Sequence, residues 1–364
     1  MSLKVGIVGL PNVGKSTLFS SLTKNKVDIN NYPFCTIQPN VGIATVSDER
    51  LDELHTLYPE SKKIPAIIEF VDIAGLVKNA HKGEGLGNQF LANIRNVDAI
   101  VEVVRAFPNL DIEHTEKSID PLRDIGIIHS ELILADLELI QRRKSKVEKL
   151  KRSTGEAKEL AAIEWDILEI LEKKLNEESW LYPLPEMPKK LIPYTNDLIK
   201  NFSLLTTKPI LYAINISETQ NTQDLKEKIK QKGILELEYL FLDAKLEIEL
   251  NEISSEEQKE LGVTSNLDDI VRHSYKLLDL LTFFTSGDKE TRAWETKNGA
   301  SAPEAAGVIH SDFQKLFISA NVINFAALLK AGSWKNAREN GLIRREGKDY
   351  PMQEGDVAEF VISK

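Results

Sequence analysis

Short apolar runs alternate with longer mixed segments through the first two thirds of the chain. Most of these runs are continuous and rich in valine and isoleucine, as expected for strands buried on both faces of a parallel sheet. They lie at residues 3–8, 41–46, 66–71, 97–104, 209–214 and 240–242. The segment 16–22, directly after the first run, has the spacing of a helix. Strands that alternate with helices in this way predict an α/β fold.

The period changes between residues 124 and 202. Leu132, Leu137, Ile140 and Val147 recur at near-heptad spacing, and a second apolar series follows at 157–176. Ser153-Thr154-Gly155 between the two series is suited to a turn. The pattern predicts an antiparallel helical hairpin, inserted between two halves of the α/β domain because strand character returns at 209.

The last 85 residues have a third pattern. Short strands are predicted at 280–285, 292–295, 317–322 and 357–362, with a helix at 303–309. These elements predict a small mixed α/β domain. We therefore divide the chain into an α/β domain (1–123 and 203–279), a helical insertion (124–202) and a C-terminal domain (280–364).

Composition narrows the class of protein. The chain has 364 residues, 42% hydrophobic, and contains no apolar run of the ~18 residues that a membrane span needs. A strand predicted to begin at residue 3 leaves no room for a signal peptide. The single cysteine, Cys35, excludes an intrachain disulfide framework and a cysteine-rich metal site. We expect a cytoplasmic protein without membrane contact, and the net charge of −10 argues against wholesale nucleic-acid coating.

The strongest chemical signal is the phosphate-loop pattern G-x-x-x-x-G-K-[ST], which starts at Gly9 and lies between the first strand and the first helix. Glycines let the backbone approach a phosphate, and the N–H groups at the helix start form an anion site. Lys15 is predicted to reach the β- and γ-phosphates, and Ser16 to bind Mg²⁺. The predicted phosphate-binding residues are Asn12, Val13, Gly14, Lys15, Ser16 and Thr17.

Two further segments fit a nucleotide-sensing switch. Asp72-Ile73-Ala74-Gly75 follows a buried strand, so that Asp72 can hold Mg²⁺ through water and the Gly75 N–H can meet the γ-phosphate. Thr36 is the candidate that caps Mg²⁺ from the first switch segment, although alone it would be an ordinary loop threonine. Leu76 stands where many GTPases place a water-orienting glutamine, and we therefore expect slow hydrolysis unless a partner or another group assists.

Base recognition is predicted at the ends of the last two strands of this domain. GTPases carry N-K-x-D where this chain has Asn215-Ile216-Ser217-Glu218, and Glu218 would crowd a guanine held in the usual pose. This departure from the N-K-x-D motif favours ATP as the nucleotide, with GTP as the weaker ligand. The alternative is that the protein is a GTPase. Ala244 and Lys245 are expected beside the base.

Two basic segments stand out in this acidic chain. Residues 142–152 carry seven positive side chains against one negative. The C-terminal domain has a basic edge at Lys330, Lys335, Arg338, Arg344, Arg345 and Lys348. Each is either a solvated surface or a contact for RNA, including ribosomal RNA. Trp294 in the same domain is expected to lie in its core.

Taken together, these motifs resemble one family, the Obg-like ATPases of the YchF type, over essentially the whole chain. The motifs that carry the resemblance are 12–17, 31–36, 72–77, 82–88, Asn215-x-x-Glu218 and Arg292-Ala293-Trp294. The resemblance implies a Ras-like nucleotide domain, a coiled-coil insertion and a C-terminal TGS domain of β-grasp fold. It also implies Mg²⁺ dependence, preference for ATP, and association with ribosomes, with the large subunit as the expected site.

The resemblance further implies a catalytic role for a histidine in the loop after strand 97–104, and His114 matches by position. Taken alone, His114 would be a solvent-exposed loop histidine. We expect Lys15 and Gly75 to act with it on the γ-phosphate, in an ATP-hydrolysing switch that a ribosomal partner accelerates. The alternative is a nucleotide-gated RNA- or ribosome-binding module whose hydrolysis is incidental.

Overall fold

The computed structural model describes residues 3–24, 32, 38–74, 86–109, 112, 114–217 and 220–363. Its strands are β1 (Lys4–Val8), β2 (Val41–Thr45), β3 (Lys62–Ile64), β4 (Ile67–Asp72), β5 (Ala99–Arg105), β6 (Ile210–Asn215), β7 (Tyr239–Leu242), β8 (Leu280–Ser286), β9 (Glu290–Lys297), β10 (Phe317–Asn324), β11 (Arg344–Glu346) and β12 (Asp356–Ile362).

The helices before the C-terminal sheet are α1 (Lys15–Thr23), α2 (Glu49–His55), α3 (Leu86–Arg95), α4 (Pro121–Leu150), α5 (Glu156–Asn176), α6 (Ile192–Phe202), α7 (Gln223–Gln231), α8 (Ala244–Leu250), α9 (Ser255–Glu260) and α10 (Leu267–Leu277). Those within the C-terminal region are α11 (Ala302–Ile309), α12 (Ser311–Lys315), α13 (Phe325–Ala331) and α14 (Trp334–Glu339).

The first sheet has the order β2-β4-β1-β5-β6-β7 and is parallel except for β2, which runs antiparallel to β4. Its central strands are almost entirely buried, as their continuous apolar sequences predict. Parallel strands place their carboxyl ends at one edge of the sheet. The ends of β1, β4, β5 and β6 therefore bring the predicted phosphate, metal and base segments to the same edge.

The predicted hairpin is present and differs from expectation at its base. Asp120 caps α4, its side chain accepting a hydrogen bond from the Arg123 N–H, and Pro121 occupies the first turn, so that the helix starts earlier than predicted. Ile140 and Val147 pack against α5 as the spacing predicts, whereas Leu132 lies in the main core of the nucleotide domain. The first turns of α4 thus belong to the nucleotide domain and the later turns to the hairpin.

The hairpin carries much of its basic charge in internal ion pairs. Arg143 Nε lies 2.5 Å from a Glu164 oxygen, and Lys144 Nζ lies 2.7 Å from Glu172, both across the α4–α5 seam. Lys146 and Lys149 are exposed on α4. Part of the basic segment therefore stabilises the hairpin itself, and part faces solvent.

The second sheet has the order β11-β10-β12-β8-β9-β3 and mixes parallel with antiparallel pairs. Alternate residues of each strand face opposite sides, so Phe283 packs towards α11 while Phe284 joins the main core. All four predicted strands are confirmed within two residues at each end; β9 is two residues longer than predicted at both ends, beginning at Glu290 and ending at Lys297. Trp294 is buried, as expected, and α13 and α14 were not predicted.

The outermost strand of this second sheet comes from the nucleotide domain. β3 pairs in parallel with β9, and Lys62 lies opposite Glu290. Tyr32 lies close by, its hydroxyl donating to the Pro65 carbonyl at 2.9 Å, with the Arg292 guanidinium 5.3 Å from the ring centre. A segment between β2 and β4 therefore completes the C-terminal sheet.

Candidate nucleotide site

The phosphate loop joins β1 to α1 in backbone conformations that favour glycine. Gly9 and Gly14 have φ angles of +154° and +101°. A Cβ on Gly9 would lie 2.5 Å from the Val103 carbonyl oxygen, and one on Gly14 would lie 2.4 Å from Asn215 Nδ2. Asn12 adopts φ +61°, a left-handed conformation that asparagine tolerates. Sequence and tight packing together fix the shape of this loop.

Lys15 starts α1 and is buried beneath the loop. Its Nζ donates to the Leu10 carbonyl oxygen at 2.8 Å, which folds the side chain back along the loop. Burial lowers the pKa of Lys15, and the charge of Asp72 opposes that shift. A buried amine beside a turn of backbone N–H groups is suited to bind phosphate oxygens.

Ser16 and Asp72 converge from different elements. The Ser16 hydroxyl at the start of α1 donates to Asp72 Oδ2 at the end of β4 over 3.2 Å. A hydroxyl and a carboxylate are hard oxygen ligands, and Mg²⁺ in nucleotide sites takes few protein ligands and completes its shell with phosphates and water. In the ranges that the structure describes, there is no group of three histidine, cysteine or acidic side chains able to hold a metal. The donor set therefore fits Mg²⁺ bound together with a nucleotide.

Asn215 connects the phosphate loop to the loop before α8. Its Nδ2 donates to the Val13 carbonyl oxygen at 2.9 Å, and its Oδ1 accepts from the Ala244 N–H at 3.1 Å. Asp243 caps α8 by accepting from the Lys245 and Leu246 N–H groups. The buried Asn215 side chain thus fixes the distance between the two loops.

A cavity of about 800 Å³ opens between these loops. Its lining includes seven predicted nucleotide-site residues: Asn12, Gly14, Thr17, Asn215, Ile216, Ala244 and Lys245. The remaining wall includes residues that sequence reasoning did not select: Phe107, Pro108, Asn109, Ile112, Ser217, Asp243, Ile248 and Glu249. The volume lies in the usual range for small-molecule sites. Asn215, Ala244 and Lys245, which are predicted to lie near the base, therefore line the same cavity as Asn12 and Gly14 of the phosphate loop.

The loop after β5 forms one side of this cavity. The Ala106 and Phe107 N–H groups both donate to the Asn215 carbonyl oxygen, at 2.8 and 3.1 Å. Gln220 Nε2 donates to the Ala106 carbonyl oxygen at 3.0 Å. The proline after Phe107 was the one signal in the sequence that a shaped loop lies here.

His114 does not line the cavity, and the expectation of a solvent-exposed histidine is wrong. The side chain is buried, with Nε2 2.9 Å from Asp124 Oδ2 at the start of α4. Its Nδ1 accepts from the Glu116 N–H at 3.1 Å. The polar neighbours of His114 in the sequence suggested exposure, but pairing with Asp124 makes burial favourable.

Three predicted site residues, Thr36, Gly75 and Glu218, lie outside the residues that the structure describes, as does Leu76. Their assigned roles stay predictions. In the described part of the chain, no helix has the length and apolar character required to cross a membrane.

A glycine-shaped loop at a strand-to-helix junction, a buried lysine beneath it, and a serine–aspartate pair beside it define a phosphate-loop nucleotide-binding protein. Residues 4–160 match the family described as 50S ribosome-binding GTPase, and residues 280–363 match a C-terminal family of YchF GTPases described as a protein of unknown function. The chain belongs to the YchF family, because relatives share more than 40% identity over nearly its full length.

Two relatives carry the name "Ribosome-binding ATPase YchF". The protein from Bacillus subtilis is 44% identical, with 99% of each chain covered. The protein from Haemophilus influenzae is also 44% identical, again with 99% of each covered. The solved YchF GTPase of Schizosaccharomyces pombe matches with a TM-score of 0.85 and 35% identity, covering 99% of this chain and 98% of that one.

A GTP-binding protein from Pyrococcus horikoshii has the same fold at a TM-score of 0.60 and 20% identity, covering 99% of this chain and all of that one. The predicted α/β fold with a phosphate-loop domain is therefore confirmed. The coiled-coil and TGS descriptions, the domain boundaries and the individual site residues stay predictions.

Proposed function

We propose that this chain is an Mg²⁺-dependent ATP hydrolase that acts as a ribosome-associated nucleotide switch in the cytoplasm. The observation that carries the proposal is that residues of the phosphate loop line one cavity together with Asn215, Ala244 and Lys245. The name shared by the bacterial relatives supports ATP as the nucleotide and the ribosome as the partner.

The phosphate end of the site has an electrostatic role. Gly14 and the N–H groups of its loop bind the phosphate oxygens, and Lys15 exchanges its bond to Leu10 for one to the β- and γ-phosphates. Ser16 and Asp72, with Thr36, would hold Mg²⁺, which neutralises phosphate charge. Phosphoryl transfer needs little covalent help from protein, so a donor set of this kind can supply most of the rate enhancement.

Hydrolysis by the free protein is expected to be slow. Leu76 cannot orient the attacking water, and the proposed catalytic His114 is hydrogen-bonded at both ring nitrogens. To contact a reacting water, the His114 ring must give up at least one of these bonds, for example the one to Asp124. Gly75 is proposed to sense the γ-phosphate through its N–H.

The base end is proposed to favour ATP over GTP. Ile216 and Glu218 replace the lysine and aspartate through which GTPases hold guanine. The Bacillus subtilis relative is named an ATPase and the Schizosaccharomyces pombe relative a GTPase, so the choice between ATP and GTP is the property to measure.

The test of this proposal is equilibrium binding of non-hydrolysable ATP and GTP analogues with Mg²⁺, before and after Glu218→Asp. We expect the unmodified chain to bind the ATP analogue more tightly than the GTP analogue. The difference between the two affinities should be smaller in the Glu218→Asp variant. Tighter GTP binding by the unmodified chain would show that guanine is recognised by other contacts.

The ribosome is the proposed partner, with contacts to the large subunit through the basic hairpin and the C-terminal domain. Lys146 and Lys149 are exposed on α4, so their charge reversal tests the hairpin contact. Charge reversal of the exposed Lys228 and Lys230 on α7 is the matched control.

We expect ribosomal particles to raise ATP turnover about tenfold, which is ~1.4 kcal/mol of barrier. Nucleotide-dependent ribosome binding without faster turnover would favour a binding module whose hydrolysis is incidental.

A further inference from the structure

Arg105 is the last residue of β5 and is about 1% exposed, although arginine is rarely buried so completely. Its guanidinium donates from Nη2 to the Asn109 carbonyl oxygen at 2.9 Å and from Nη1 to the Ile112 carbonyl oxygen at 3.1 Å. Nε is 3.3 Å from the Phe107 carbonyl oxygen, and the guanidinium lies 4.5 Å from the Phe107 ring centre. One side chain therefore binds three backbone carbonyls of the loop that follows it.

The three residues whose carbonyls accept these bonds are also residues that line the nucleotide cavity. A carbonyl that turns inward needs a donor, because an unsatisfied buried carbonyl is unfavourable. Arginine supplies several donors in one rigid plane, whereas lysine supplies a point charge on a flexible stem. The guanidinium thus determines which way the loop backbone turns and where its side chains face.

We propose that Arg105 is a positioning residue that preforms the part of the nucleotide-cavity wall lined by Phe107, Asn109 and Ile112. The inference rests on the proposed nucleotide binding and adds a residue that does not itself line the cavity. The first two residues of the loop are held against β6, because the Ala106 and Phe107 N–H groups both donate to the Asn215 carbonyl oxygen. The three hydrogen bonds of the Arg105 guanidinium go to this loop, so we expect Arg105 to act on the cavity wall that the loop forms rather than on the binding of the phosphates.

The experiment compares Arg105→Lys with Arg95→Lys. Arg95 also donates to a backbone carbonyl, that of Ser203 at 2.8 Å, and does not line the cavity. Both changes retain the charge. Binding of a non-hydrolysable ATP analogue with Mg²⁺ and binding of inorganic tripolyphosphate are measured for both, with thermal unfolding as the check on folding.

We expect Arg105→Lys to weaken analogue binding about tenfold or more, because lysine cannot serve three carbonyls in one plane. Tripolyphosphate binding should change by less than about twofold, because distant parts of a site contribute independently. Arg95→Lys should change neither. Equal weakening of both ligands, or no weakening of either, would overturn the positioning role.

Failure of the unmodified chain to bind the ATP analogue would instead refute the proposed function. A second measurement requires no variant. If Arg105 preforms the wall, hydrogen exchange over the loop segment that the structure describes (Ala106, Phe107, Asn109 and Ile112) should be slow without nucleotide and should slow further by less than about threefold when the analogue binds. A large, ligand-induced slowing of that segment would show that the nucleotide, not Arg105, orders the loop.

Discussion

Replacing Asn215 by aspartate tests whether one side chain fixes the distance between the two loops of the site. The change keeps the size of the side chain. One carboxylate oxygen can still accept from the Ala244 N–H, but the other takes the place of Nδ2, 2.9 Å from the Val13 carbonyl oxygen. A donor–acceptor contact becomes a contact between two acceptors in a buried position.

The loss of the hydrogen bond and the unpaired buried oxygen together should cost about 2–4 kcal/mol. The loss is shared between the free energy of unfolding without nucleotide and the binding free energy of the ATP analogue. Urea unfolding and calorimetric titration measure the two parts, and a change of 1.4 kcal/mol in binding is about tenfold in affinity. Acidic pH should partly restore the variant, because a protonated carboxyl can donate to Val13.

Asn251→Asp is the matched control. Asn251 Nδ2 donates to the Ser21 carbonyl oxygen at 2.9 Å, also joining α8 to α1, but it does not line the cavity. The control should lose stability without losing analogue affinity. A summed loss below about 1 kcal/mol for Asn215→Asp would refute the bridging role.

Three further changes test the surrounding structure. The buried Asp136 carboxylate accepts from Thr206 N and Oγ1, both at 2.8 Å, so Asp136→Asn should lower the unfolding free energy by about 3 kcal/mol in urea, and a loss below about 1 would contradict this. Burial lowers the pKa of His129 to about 4, so between pH 6.5 and 4 the unfolded chain binds a proton at His129 before the folded chain does. The unfolding free energy of the unmodified chain relative to that of His129→Gln should therefore fall by up to about 3 kcal/mol as the pH is lowered through that window, and a difference that does not change with pH would contradict this. A Cβ on Gly42 would lie 2.0 Å from Thr23 Cγ2 and 2.5 Å from Thr23 Cβ, so Gly42→Ala should cost about 1–3 kcal/mol by thermal unfolding; an unchanged unfolding free energy would refute the clash.

The parts of the fold that the sequence predicts are those determined by local pattern. The phosphate loop could be placed because its glycines, lysine and serine are contiguous, and the parallel strands because their apolar runs are continuous. β3 could not be predicted, because Lys62-Lys63-Ile64 is short and mostly polar and forms a strand only by pairing with β9. Its partner lies more than 220 residues further along the chain.

The site was predictable where chemistry follows a motif and unpredictable where it depends on burial. Ser16 and Asp72 meet as their motifs predict. Arg105 gave no signal, because arginine ordinarily marks a surface and only the folded loop supplies the carbonyls that accept its hydrogen bonds. His114 was misjudged for the related reason that its partner, Asp124, lies ten residues further along the chain, on α4.

The place of β3 at the edge of the C-terminal sheet has a consequence for how this chain can be divided. A cut before residue 280 removes the β9 strand from β3 and the Arg292 guanidinium from Tyr32. It also exposes the face of the main core that Phe284 and Val357 cover. A truncated nucleotide domain would therefore be left with an unpaired strand and an exposed apolar surface. Loss of activity on truncation would not by itself show that the C-terminal domain contains the residues responsible for that activity.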